Sequence, residues 1–325
     1  MFCSWLAIPA SVVASPPPNE AVPISSRQIA NFKIGSDQKT FGALEFVGGL
    51  ELSSSNALFG AMSSIRFRAD TTSFVAVLDT GHWLQGSVTR DVQGRLSGLA
   101  DVTVTSMMDS QGRSERVKIY MDSEGLAFRD DEALVSFEQF HRVDAYPDPG
   151  FAQARPTASL PILIPERELR GNRGLETIAV SPAGSPLDGA TVVVSELSFD
   201  KADHLYAAVL DGLRKGVFGV VQKDPFAITD GAFLPNGDLL LLERRFSFAE
   251  GIGMQIRRIA GDSIKAGAVV DGPVILSADM GYQIDNMEGL DVVALPDGEI
   301  RVIVVSDDNH SILERNLMLE FRLVQ

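Results

Sequence analysis

From Ile29 onward the apolar residues come in short runs broken by Gly, Asp, Asn and Pro, and helical periodicity is scarce. This spacing predicts β-strands joined by tight turns, as in a sandwich, barrel or propeller. Pro235-Asn236-Gly237-Asp238 and Pro296-Asp297-Gly298 have the composition of hairpin reversals. Several runs are nearly continuous rather than alternating, among them Val192-Val193-Val194 and Leu239-Leu240-Leu241-Leu242. Strands of that kind are covered on both faces, as when sheets stack on one another. Residues 155–170 and 200–216 read as loops or irregular excursions.

Two strand types recur. One carries a small or acidic residue, a glycine and then apolar residues. Its copies include Ser64-Ile65-Arg66-Phe67, Ser123 to Phe128, Gly174 to Ala179, Thr229 to Phe233 and Met287 to Val292. The other is an apolar run ending in acid: Phe74 to Asp79, Leu134 to Glu138, Val192 to Glu196, Leu239 to Glu243 and Ile303 to Asp307. The steps from Glu124 to Glu176, Asp230 and Glu288 are 52, 54 and 58 residues. That period is slightly longer than the ~40–50 residues of a four-stranded propeller blade, and long hairpin loops account for the excess. Five units are visible. Phe41 to Phe46 and Gly49 to Leu52 supply further strands, which can join Leu317 to Leu323 at the other end of the chain. The expectation is an all-β, six-bladed β-propeller, a single domain over residues 27–325, closed by pairing of N- and C-terminal strands so that no edge is left exposed.

Composition narrows the function. The 325 residues are 45% apolar and 22% charged, with a formal charge of -15. Without a basic patch, nucleic acid is not an expected partner. The single cysteine, Cys3, excludes an intramolecular disulfide and a CxxC zinc site. Met1 to Ala14 is apolar and precedes Ser15-Pro16-Pro17-Pro18, like the end of a signal peptide, but it lacks a charged leader and is interrupted by Pro9. Residues 1–26 therefore read as a truncated signal peptide with linker or as a disordered N-terminus, and export to a periplasmic or secreted location is the favoured reading. No later window approaches the ~18 apolar residues of a membrane span.

Four segments together resemble the bacterial phytase-like family, "esterase-like activity of phytase". They are Ser136-Phe137-Glu138-Gln139-Phe140-His141-Arg142, Gly171-Asn172-Arg173-Gly174-Leu175-Glu176, Leu239 to Arg244, and Asp285 to Leu290 with Ser306-Asp307-Asp308-Asn309-His310. The likeness runs from about Phe41 to Leu323. It implies an exported propeller-like domain with ester or phosphoester hydrolase activity, acting on a small molecule. The chain departs from the family at Gly60-Ala61-Met62-Ser63-Ser64-Ile65, and it lacks the Asp-Ala-x-Asp-Asp-Pro run of the β-propeller phytases, which counts against phytate itself.

Carboxylates at matching strand ends of a radial repeat would converge on one rim or on the central channel. The set is Glu124, Glu138, Glu176, Glu196, Glu243, Glu288, Asp307 and Asp308. Converging carboxylates need a cation or arginines to neutralise them. Hard oxygen ligands select Ca2+, with Mg2+ as the alternative, and the expected ligands are Glu124, Glu176, Glu288, Asp307 and Asp308. The competing reading is solvated acids beside turns. Arg142, Arg173 and Arg244 each follow or precede one of these acids, either to clamp an anionic ligand or to lock neighbouring blades. His141 and His310 fall inside the matching motifs and could serve as general acids or as structural residues. The candidate catalytic set is thus Glu176, Glu288, His141, His310, Arg142, Arg173 and Arg244. A serine hydrolase is not supported, since G-x-S-x-G is absent. Two functions remain: a monomeric ester or phosphoester hydrolase using a cation at an acidic rim, or a non-enzymatic propeller that binds a small ligand or a protein.

Overall fold

A computed structural model describes residues 17–114, 118–247 and 251–324, so Cys3 and most of the signal-peptide segment lie outside the described residues. The N-terminal strands are β1 (Glu20–Ala21), β2 (Ile24–Ile29), β3 (Thr40–Phe41) and β4 (Leu44–Ser54). Part of the stretch expected as linker is therefore strand. Four up-and-down units follow. The first is β5 (Met62–Phe67), β6 (Ser73–Leu78), β7 (His82–Arg90) and β8 (Leu96–Ser106), and the second is β9 (Ser123–Arg129), β10 (Glu132–Phe137), β11 (Arg142–Pro147) and β12 (Ala158–Leu160). The third holds β13 (Leu175–Val180), β14 (Thr191–Phe199), β15 (His204–Val209) and β16 (Gly216–Val221). The fourth is β17 (Ala227–Phe233), β18 (Leu239–Ser247) and β19 (Gly251–Ile259), completed past β20 (Val269–Val270) by β21 (Val274–Asp279). The chain ends with β22 (Asn286–Ala294), β23 (Ile300–Asp307) and β24 (Asn316–Leu323).

The sheets have the orders β1-β8-β7-β6-β5, β12-β11-β10-β9, β13-β14-β15-β16-β20, β17-β18-β19-β21 and β2-β4-β24-β23-β22. The innermost strands β5, β9, β13, β17 and β22 contact one another in a ring around a central axis. The fold is a five-bladed β-propeller. Among the described residues the expected sixth blade is not formed, because the N-terminal strands lie outside β24 in the fifth sheet. β4 pairs with β24 from Leu44–Leu323 to Leu52–Asn316, and β2 pairs with β4. None of these strands reaches the axis, so they widen a blade without adding one.

Five apolar clusters lie between successive blades, which explains the continuous apolar runs. The largest joins Leu240, Leu242 and Ile256 of blade four to Leu290, Val302 and Phe321 of blade five. Another joins Val192 and Val194 of blade three to Leu239 and Leu241 of blade four. Along β18, alternate leucines face opposite neighbours, so both faces must be apolar. The predicted reversals at Gly237 and Gly298 have φ of +88° and +86°, a region in which glycine alone avoids a Cβ clash.

Near its start, each inner strand breaks register against its neighbour. The shifts fall at Met62/Ser64, Leu175/Thr177, Ile228/Asp230 and Met287/Gly289, and in blade two opposite Ser136. An extra residue at such a bulge re-aims its side chain out of the pleat. The bulged residues are Ser63, Glu124, Glu176, Thr229 and Glu288. Among the described residues no helix is long and apolar enough to cross a membrane.

Candidate active site at the channel mouth

The bulges generate an inner ring of five side chains at equivalent positions. Three are glutamates, Glu124, Glu176 and Glu288, and all three line a cavity of about 310 Å³ at one end of the channel. A second ring comes from each second strand, from the residue that follows the partner of the residue just before the bulge. Leu78, Phe137, Ser195, Glu243 and Ser306 are the equivalent paired residues, so the second ring is Asp79, Glu138, Glu196, Arg244 and Asp307, and all five line the cavity. Asp122, at the entrance to β9, adds an eighth carboxylate.

Blade four is the exception in both rings. Its bulge carries Thr229, whose hydroxyl donates to the Met287 carbonyl at 3.2 Å, and its second position carries Arg244. Arg244 lies between the acids of the flanking blades, with Nε 3.0 Å from Glu288 Oε1 and a terminal nitrogen 3.7 Å from Glu196 Oε1. Lys118 pairs with Asp79 and lies 3.4 Å from Asp122. Arg173 stands exposed at the rim and makes no ion pair among the described residues. Three cations therefore face eight carboxylates.

The floor of this cavity is closed. Arg66 of β5 donates two hydrogen bonds to Asp230 at 2.9 and 2.8 Å. It also bonds the carbonyls of Leu290, Gly231 and Ile178 at 2.7, 3.0 and 3.2 Å. Asp230 in turn accepts from the Ser64 hydroxyl and the Leu290 N–H at 2.8 and 2.9 Å. This buried plug separates the acidic mouth from a smaller cavity at the far end, which Arg66, Phe67, Phe128 and Phe233 line.

Burial governs the titration of the acids, and neighbouring charge adds to it. Glu124 and Glu176 are raised well above the usual carboxylate range by desolvation, and each is raised further by Glu138 and Glu288. Glu138 is pushed up to about 8 by burial, although the Gly174 N–H bonded to it works the other way. Asp307 reaches about 8 through burial and the charges of Glu288, Asp79 and Asp308. Glu288 reaches about 7, with burial opposed by Arg244. The sign of the linkage follows. The folded protein holds protons that the unfolded chain has released by about pH 4.5. The stabilisation is complete below that pH and is lost as pH rises through 7–8. In EDTA, the melting temperature is expected to fall between pH 5 and pH 8. A melting temperature that rises across that window would contradict the raised values.

The expected site residues divide clearly. Glu124, Glu176, Glu288, Asp307, Arg173 and Arg244 converge on the cavity, as do Glu138 and Glu196 of the wider acidic set. Glu243 does not. It sits one position before the second ring, buried, where it pairs with Arg257 and accepts from Gln255 at 2.5 Å. Asp308, expected as a ligand, instead accepts from Asn316 Nδ2 at 2.7 Å and from the His310 N–H at 3.1 Å. Arg142 is a lock within blade two, 2.8 Å from Asp144 and stacked 3.8 Å over the Phe137 ring. His141 is packed behind Gly174, where an added Cβ would meet its ring at 2.1 Å, and burial lowers its pKa. His310 is exposed on the following loop. Neither histidine lines the cavity, so neither stands where a general acid would reach a substrate bound there.

Charged and hydroxyl residues of the cavity that were absent from the expected site are Asp79, Asp122, Lys118 and Ser63. Asp122 had a signal: it precedes Glu124 by two residues, the spacing that puts two side chains on one face of an extended strand. Asp122, Glu124 and Glu138 can each present one oxygen with all three within 4.8 Å of one another.

With this geometry in view, the phytase-like family, esterase-like activity of phytase, matches residues 57–310. The chain belongs to this family. The match spans all five inner strands and both rings. No curated protein matches the sequence. Among solved structures, the chain is similar to an endo-arabinase from Bacteroides thetaiotaomicron VPI-5482, at a TM-score of 0.49 and 9% identity, over 86% of this chain and 96% of that one. It is also similar to an α-L-arabinofuranosidase from Podospora anserina, at a TM-score of 0.46 and 13% identity, over 88% of this chain and 98% of that one.

Proposed function

We propose that this phytase-like propeller hydrolyses ester or phosphoester bonds at the channel mouth, with a divalent cation, Ca2+ or Mg2+, held by Asp122, Glu124 and Glu138. The observation that carries the reading is the double ring of eight carboxyl groups over a sealed floor, which three cations do not suffice to hold ionised together, so that their raised proton affinities mark a place for a further positive charge. The donor set fits such an ion. All three ligands offer carboxylate oxygens, which hard cations prefer and zinc does not require. Asp122 is buried, and its Oδ1 accepts no hydrogen bond; it faces Lys118 Nζ at 3.4 Å, a loose ion pair that a divalent cation could displace or join.

A bound divalent ion polarises an ester oxygen and lowers the pKa of a coordinated water. The chain's own residues supply the rest. Arg173, open at the rim, is placed to receive an anionic oxygen of the substrate. Glu176, whose proton affinity burial and the neighbouring acids raise well above the usual range, is the group placed to pass a proton to a leaving oxygen. Arg244 holds Glu196 and Glu288 in place and lowers the repulsion between them. The Arg66–Asp230 plug closes the floor, so substrate and water reach the carboxylates through the mouth.

The test is an assay on p-nitrophenyl phosphate and p-nitrophenyl acetate with Ca2+, Mg2+ or EDTA. Turnover with a divalent ion and its loss in EDTA are expected. Absence of turnover above background with either ion removes the hydrolase reading. A second reading, a non-enzymatic binding propeller, has one observation in its favour: among the described residues no histidine lines the cavity. A Ca2+-induced rise in melting temperature without turnover would select it.

A further inference from the structure

Beyond the Arg66–Asp230 plug, at the far end of the channel, lies the second cavity, of about 200 Å³. The register that builds the inner acidic ring builds this one too. Three residues past the bulge, the inner strands carry Arg66 in blade one, Asp291 in blade five and alanine in the other three. Four residues past it they carry Phe67, Phe128 and Phe233, with valine in blades three and five. Both levels of all five blades line the cavity. The alanines leave the space, since interiors are close-packed and a larger side chain at that level would fill it. Three aromatic rings, one carboxylate and one guanidinium give the cavity its chemistry.

The guanidinium is already committed. Arg66 gives two hydrogen bonds to Asp230 and the others to carbonyls, so that pair is neutral. Asp291 is placed differently. It is 7% exposed, accepts the Phe67 N–H at 2.7 Å, and feels Arg66 only across the plug. Burial pushes its pKa up to about 6 against the pull of Arg66. At neutral pH the cavity therefore holds an ionised carboxylate without a counter-ion of its own. The rings beside it present negative faces to a cation. One of them already does so from outside: Arg68, which does not line the cavity, lies with its guanidinium carbon 3.7 Å from the centre of the Phe128 ring. Ca2+ or Mg2+ would find one carboxylate and no other side-chain oxygen among the lining residues, too few for a hard ion. A cation clothed in methyl groups suits both the carboxylate and the apolar wall.

We propose that this cavity is a second binding site, separate from the acidic mouth, for a small organic cation of the alkylammonium class, with the ammonium group against Asp291 and its methyl groups against Phe67, Phe128 and Phe233. The site does not depend on the hydrolase reading, because the plug keeps the two chambers apart.

Calorimetric titration of the full chain in EDTA tests the site, with choline as the probe and 3,3-dimethylbutan-1-ol as its uncharged counterpart of the same shape. Choline is expected to bind, and the alcohol to bind about tenfold more weakly or less tightly still. Asp291→Asn should weaken choline by about tenfold or more. Phe233→Leu, which keeps the carboxylate, should weaken it by about 3- to 30-fold. Melting curves check that both variants fold, and Phe233→Leu carries the test if Asp291→Asn does not. Glu124→Gln, in the mouth, should leave the choline affinity unchanged. Choline binding that is lost in Glu124→Gln and retained in Asp291→Asn places the cation in the mouth and overturns the far-end site. Equal affinities for choline and the alcohol, or no binding of choline to the wild type, overturn it as well, and neither outcome touches the hydrolase reading.

Discussion

Arg66→Met is expected to lower the unfolding free energy by about 3–5 kcal/mol, the cost of leaving one member of a buried ion pair without its partner. Asp230 is fully buried, and the Arg66 side chain is 8% exposed. Methionine preserves much of the stem's bulk, so the loss reports on the guanidinium. Its absence strands Asp230 and removes a donor from each of the carbonyls of Leu290, Gly231 and Ile178. Those carbonyls lie on blades five, four and three, whereas Arg66 belongs to blade one. One side chain thus ties four of the five inner strands, and its removal should lower the cooperativity of unfolding as well as the midpoint. Urea denaturation gives both quantities. Arg66→Met/Asp230→Asn should recover part of the loss, and the double-mutant cycle measures the coupling between the two residues. A single mutant within about 1 kcal/mol of wild type would show that the plug is not a structural tie.

Glu124→Gln is expected to lower ester or phosphoester turnover by on the order of 100-fold or more, which is about 2.7 kcal/mol of transition-state stabilisation. The Ca2+-induced rise in melting temperature should disappear with it. The same change should make the protein more stable in EDTA, by about 1–2 kcal/mol. Burial and four neighbouring carboxylates already push the Glu124 proton affinity up, and an amide of the same shape removes the charge that the site disfavours. Activity lost and stability gained, in one variant, is the signature of a carboxylate placed against its own electrostatic preference. Unchanged turnover and an unchanged response to Ca2+ in Glu124→Gln would remove Glu124 from the site.

The repeat was legible because each blade must satisfy the same constraints. An inner strand packed against two others needs small residues, and Gly125 and Gly289 show why. A Cβ at Gly125 would meet the Glu176 carbonyl oxygen at 2.4 Å, and one at Gly289 would meet Ser64 Cα at 3.2 Å. The recurring pair of an acid beside a small residue therefore reports both the bulge and the close approach. It misleads in blade four, where Asp230 takes the position of the glycines and Thr229 the position of the acids. Glu243 misleads in the same way, since it precedes the ring position that Arg244 fills. Side chains alternate across a strand, so an error of one residue sends a carboxylate from the channel to the core.

Local composition determined the strands, the Pro-Asn-Gly and Pro-Asp-Gly reversals, the burial of the continuous apolar runs and the recurrence of acid at strand starts and ends. Those features depend on neighbours in the chain and on whether a residue prefers water. Tertiary structure alone decided that the ring holds five blades, because whether the N-terminal strands make a new blade or widen the fifth depends on pairing between residues more than 250 positions apart. It also decided which acids are shared and which are spent. Glu138, at the end of β10, is brought beside Asp122 and Glu124 at the start of β9, while Glu243 and Asp230 are neutralised by Arg257 and by Arg66, 164 residues from its partner. A carboxylate's fate is set by the charge nearest to it in space, and the order of residues along a strand does not contain that distance.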